Sequence, residues 1–154
     1  MNNDVLSFEN IKVSHDIIDE IWKLDPSQID YIDSAKLSSY AVALSQYLIY
    51  FTFQRNKTKA EIHDLNKYVD RAVSLRLSES ADLLKRFKTK VAATDYLVSM
   101  DTSLMEAQTK LDSLDMEMIR VDGIDKAVSD LISTLKRELT RRENELYQVR
   151  LERR

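Results

Sequence analysis

The chain has 154 residues, about a third of them charged, with one Gly, one Pro and no Cys. So few turn-forming residues exclude a turn-rich β architecture and predict long helices, and the missing cysteines exclude disulfides, thiolate metal sites and a cysteine nucleophile. The net charge of -3 conceals a segregation: residues 1–33 carry -6, 54–90 carry +5, 91–135 carry -6 and 136–154 carry +3. Within a Debye length of about 10 Å a basic zone can hold a polyanion although the whole chain is weakly acidic.

From the N-terminus, SHDIIDEIWKL (14–24) predicts a short amphipathic helix capped by Ser14 and stopped by Asp25-Pro26, with Ile17, Ile18, Ile21, Trp22 and Leu24 on its apolar face. Trp22 is expected as a packing anchor. After DPSQID, Asp33 or Ser34 opens a much longer helix. Its seam runs through Leu37, Ala41, Leu44, Leu48, Phe51, Ile62, Leu65, Val69 and Ala72, interrupted at Arg55 and Thr58, so a bend or break is expected near QRNKTK. Within YLIYFTFQRNKTK (47–59), Leu48 and Phe51 are read as packing residues, while Tyr47, Tyr50 and Phe53 widen the apolar surface. Arg55, Lys57, Lys59, Lys67, Arg71 and Arg76 then follow as a candidate phosphate track.

A second seam begins at Leu97. With Leu97, Leu104, Leu111, Met118, Asp125, Ile132, Leu139 and Leu146 at position a, position d holds Met100, Ala107, Leu114, Val121, Val128, Leu135, Arg142 and Val149. All but Asp125 and Arg142 are apolar, which predicts an extended coiled-coil helix roughly 75 to 80 Å long. Its partner is the long first helix folded back as a hairpin, the same segment of other subunits, or both. Leu111, Leu114, Met118, Val121, Val128, Ile132, Leu135, Leu139 and Leu146 are the expected oligomerisation residues. Gly123 and Asp125 mark a hinge or helix break. Arg142 calls either for a carboxylate such as Glu138, Glu143 or Glu145 of a neighbour, or for a bundle that ends before it and leaves RRENELYQVRLERR solvated.

His15 and His63 belong to no metal-binding pattern, one glycine cannot build a phosphate-cradling loop, and no carboxylate pair stands out for acid–base work. The expectation is a protein with no enzymatic activity, no metal and no cofactor. Without a leader or a long apolar run, an intracellular setting and no membrane association are expected. Three segments follow: 1–31, acidic with a short helix; 32–95, helical and basic, the candidate polyanion-binding region; and 96–154, an oligomerisation helix. The fold class is all-α, ending in an oligomeric bundle.

IDSAKL (32–37), SLRL (74–77), FKTKVAATDYLVSMDTSL (87–104) and the leucine pattern at Leu131, Leu135, Leu139, Arg142 and Leu146 resemble landmarks of the UvsY family, recombination mediators of T-even-like bacteriophages. The spacing from IDSAKL to Arg76 is ungapped relative to that family, as is the KT…DTSL block. The resemblance covers about residues 32–104 and is looser beyond. It implies a single-stranded-DNA-binding accessory protein that forms a ring, hexameric or heptameric, through its C-terminal helices. The ring would help load a phage RecA-like recombinase onto DNA covered by single-strand-binding protein, in the cytoplasm of an infected bacterial host. A lysine and an arginine tied to DNA binding in the family fall on Ser74 and Arg76, so the arginine is kept and the lysine lost, and SESAD follows in place of tyrosine and glycine. Arg71, Lys67, Lys85, Arg86, Lys88 and Lys90 supply positive charge in compensation. The alternative is a scaffolding coiled-coil phage protein with incidental basic zones.

Overall fold

A computed structural model describes residues 13–79, 81–87 and 89–153, and among these there are helices and turns but no strand. The chain is all-α. In order come α1 (His15–Trp22), a 3-10 helix (Pro26–Tyr31), α2 (Ser34–Glu79), α3 (Ala81–Arg86), α4 (Lys90–Met100), α5 (Thr102–Arg120) and α6 (Ile124–Glu152).

Short polar side chains define most of the helix starts. The Asp25 carboxylate accepts from the Ser27 amide at 2.9 Å, with Pro26 in the first turn, where its missing N–H costs nothing. Asp33 accepts from the Lys36 amide at 2.9 Å and opens α2, while Thr89 accepts from the Ala92 amide at 3.2 Å and opens α4. Asp101 accepts from the amides of Ser103 and Leu104 and opens α5. Ser14 occupies the cap position of α1 but makes no side-chain capping bond. The expected break near QRNKTK is absent: α2 is assigned without interruption for 46 residues. Asn56 and Thr58 cost only tenths of a kcal/mol each, and no Gly or Pro lies within the helix to break it.

The single C-terminal rod expected from the heptads is instead three helices. Asp101 ends α4 and caps α5, and a turn at 121–123 separates α5 from α6, with Gly123 at φ 80°. That left-handed conformation costs an L-residue about 1 kcal/mol, which is why the only glycine stands there.

The chain divides into two compact units, each with its own core. The first takes in the described parts of Met1–Gln54 and Gly123–Arg154. Ile18 and Ile21 of α1, Ile29 of the 3-10 helix, Leu37, Tyr40, Ala41 and Leu44 of α2, and Val128, Ile132 and Leu135 of α6 form its buried cluster. Tyr47, Leu48, Leu131 and Leu139 pack around it. Trp22, expected as an anchor, is 48% exposed, because Ile18 and Ile21 occupy the inward stripe of α1.

The second unit is Arg55–Asp122. Val69, Val73 and Leu77 of α2 meet Ala93 and Leu97 of α4 and Leu104, Ala107 and Leu111 of α5, with Ile62, Leu65 and Phe87 at the margin. Lys110 pairs with Glu61 and Arg76 with Asp101, so α5 runs antiparallel to the second half of α2.

These cores account for much of the heptad seam. Leu111, Val128, Ile132 and Leu135 are buried against other helices of their own chain; Leu114, Met118, Val121 and Leu139 are half-buried; Leu146 is exposed. The fully buried ones, each worth about 1.5–3 kcal/mol, are spent on intrachain packing. Of the expected oligomerisation residues, Leu146 alone is exposed.

Candidate nucleic-acid interface

The basic residues of the second unit divide by what they touch. Arg76, the arginine singled out by resemblance, lies against one carboxylate oxygen of Asp101 while the other oxygen accepts from the amides of Ser103 at 2.9 Å and Leu104 at 3.3 Å. One aspartate thus caps α5 and holds α2 through Arg76. That arginine is a fastener of the fold, and its charge is answered within the chain.

Lys67 and Arg71 are placed differently. Both are exposed, and neither makes an ion pair among the described residues. At about 100° per residue Lys57, Asp64, Lys67, Tyr68 and Leu75 all fall within about 60° of Arg71, whereas Lys59 and Arg76 lie about 120° and 140° away. Three cations and one carboxylate therefore share a face of α2 that points away from Val69, Val73 and Leu77. Asp64, Lys67, Tyr68, Arg71, Ala72 and Leu75 line a shallow groove of about 460 Å³. Tyr68 is 48% and Leu75 59% exposed.

The later basic cluster is split as well. Lys85 is paired with Asp82 at 3.1 Å, both side chains projecting into solvent, and Lys90 is exposed in the first turn of α4. Lys88 lies outside the described residues. The Arg86 guanidinium sits over two rings, 5.9 Å from the centre of Phe87 and 5.7 Å from that of Tyr96, which are themselves 5.0 Å apart. This cation–aromatic cluster joins the end of α3 to the middle of α4 and has no signature in residue spacing, because the two rings lie on opposite sides of a helix start.

In the first unit the puzzle of Arg142 resolves within the chain. Its Nε donates to Glu138 at 2.6 Å, and its terminal nitrogens donate to the carbonyls of Ile32 at 2.5 Å, Ile29 at 3.0 Å and Asp30 at 3.0 Å. A guanidinium thereby satisfies the carbonyls at the end of the 3-10 helix, where the backbone dipole favours positive charge. Glu138 also accepts from Arg141, and these two guanidinium groups hold its carboxyl at about 2, below its ordinary 4.5. Beyond Arg142 the helix is solvated to its end, with Leu146, Tyr147, Val149 and Leu151 exposed.

Among the described residues no three His, Asp or Glu side chains gather as a metal cluster, and no helix is long and apolar enough to cross a membrane. Compared with known proteins, the chain has no match among protein-family models, curated sequences or solved structures.

Proposed function

We propose that the protein is a single-stranded-DNA-binding recombination mediator. It would hold the strand on the α2 face of its second unit and assist a RecA-like recombinase in displacing single-strand-binding protein. The observation that carries this reading is the face itself: Lys67 and Arg71 are exposed without carboxylate partners among the described residues, beside a half-exposed tyrosine and leucine. Cations that track phosphates together with an aromatic ring are the usual means of gripping single strands without regard to sequence. Sites this small bind feebly one at a time. The reading therefore includes self-association through the apolar end of α6, Leu146 to Leu151, so that several copies act on one strand and their contacts multiply. The resemblance at IDSAKL, SLRL and DTSL supports a ring of subunits working in an infected bacterium.

The exposed end of α6 equally favours a second reading, a self-assembling scaffold with no nucleic-acid role. Salt separates the two. Labelled oligothymidylate titrated at rising salt is expected to bind tightly at low salt and to lose affinity steeply, with a slope of about -0.7 per phosphate contact. Absence of binding in low-salt buffer from a chain that self-associates gives the protein to the scaffold reading.

A further inference from the structure

We infer that Tyr68 is a base-stacking residue, so that this face of α2 recognises the bases of a single strand as well as its phosphates. This rests on the single-strand reading and names how the strand is held. Tyr68 is 48% exposed although it neighbours buried Val69, and it follows directly on Lys67 and precedes Arg71 by one turn. Its groove is walled by Ala72 and by Leu75, 59% exposed, which together give an apolar bed to the ring and to whatever lies on it. A phosphate site made of cations alone needs no such bed. A solvated tyrosine between two exposed cations fits a ligand that alternates flat apolar groups with anions, and a single-stranded nucleic acid has that alternation. Asp64 closes the N-terminal end of the groove and turns phosphates toward Lys67 and Arg71.

The occupant could instead be an acidic polypeptide, and the test distinguishes the two. Fluorescence anisotropy with the full chain would compare labelled oligothymidylate, an abasic phosphodiester oligomer of the same length, and polyglutamate. Wild type is expected to bind the thymidylate more tightly than the abasic oligomer. Tyr68→Ala is expected to weaken thymidylate binding about tenfold, with the abasic oligomer unaffected. Tyr68→Phe, which keeps the ring, is expected to stay within about twofold of wild type. Lys67→Ala is expected to weaken both nucleic-acid probes alike. Equal loss on both oligomers in Tyr68→Ala, or no loss on either, overturns the stacking role while leaving the single-strand reading standing. Failure of wild type to bind either oligomer overturns both. Polyglutamate bound as tightly as thymidylate would assign the face to a protein partner.

Discussion

Two exposed tyrosines, Tyr68 in the second unit and Tyr147 near the end of α6, stand on helix faces that look alike in sequence. Each has an arginine three residues on and an exposed leucine nearby: Arg71 and Leu75 for one, Arg150 and Leu151 for the other. Their surroundings differ in balance. Over like ten-residue windows, 143–152 hold Glu143, Glu145 and Glu152 against Arg150, whereas 64–73 hold Lys67 and Arg71 against Asp64 and Asp70, with Lys57 added on the face of Arg71. The first suits an apolar contact between helices with charges matched across it, and the second suits a polyanion. The same contrast holds for the arginines. In the sequence Arg76 looks like an available cation and Arg142 like one that needs a neighbour's carboxylate, but Arg142 is bound to main-chain carbonyls of its own chain and Arg76 to a helix-capping aspartate. What a cation touches decides its role, and its count along the chain does not.

The largest expected effect comes from Arg142→Ala, which takes a donor from three carbonyls and leaves Glu138 to Arg141 alone. Urea unfolding should show a loss of about 3 kcal/mol, with single-strand binding unchanged in conditions where the variant stays folded. A loss below about 0.5 kcal/mol would mean that the carbonyls are equally well served by water. Next is Lys67→Ala combined with Arg71→Ala. Stability should hold within about 0.5 kcal/mol, while affinity for oligothymidylate falls about tenfold and its salt slope shrinks by about 1.4, two phosphate contacts' worth. Arg76→Ala reverses that pattern. As a half-exposed fastener it should cost at most about 1 kcal/mol of stability and change DNA affinity less than twofold. A tenfold loss of affinity with stability intact would restore it as a DNA contact.

The finest distinction is in acid. The folded-state carboxyl of Glu138 titrates at about 2 and its unfolded form near the ordinary 4.5, so the stability it confers is fully present above 4.5 and is lost as pH falls toward 2. Thermal unfolding followed across that window should show a slope that Glu138→Gln reduces. An unchanged slope would mean that the Arg141 and Arg142 contacts do not persist in solution.

Much of the fold was legible because local rules govern it. The stop at Asp25-Pro26, the start at Asp33, the break at Gly123 and the inward stripe of α2 all follow from caps, the only glycine and apolar spacing. The partner of the second seam was not legible. A heptad has the same period whether it faces a folded-back helix or another copy, and Val128, Ile132 and Leu135 turn out to face α1 and α2. The break at Asp101 is masked in the sequence by an apolar period that continues across it, although Asp-Thr-Ser is itself a helix-start signal. Arg142 was recognised as needing a partner, but carbonyls 110 residues away leave no trace in side-chain patterns. Of the proposed DNA track, Lys57, Lys67 and Arg71 share one face; Lys59 and Arg76 do not, as helical geometry alone would indicate. Tyr68 does not stand out in the sequence, because it is a lone ring on a charged helix, whereas the aromatic-rich 47–53 draws the eye and there Tyr47 stacks on Phe51 at 6.1 Å.

The comparison between the two tyrosine-bearing faces is tested most directly by photocrosslinking. An oligothymidylate carrying 4-thiothymidine would be bound to the full chain at low salt, irradiated, and its attachment sites mapped by mass spectrometry. Crosslinks concentrated on residues 64–75, with Tyr68 foremost and 136–152 silent, are the expected result. Crosslinks concentrated on 136–152 with 64–75 silent would contradict it and move the nucleic-acid surface to α6.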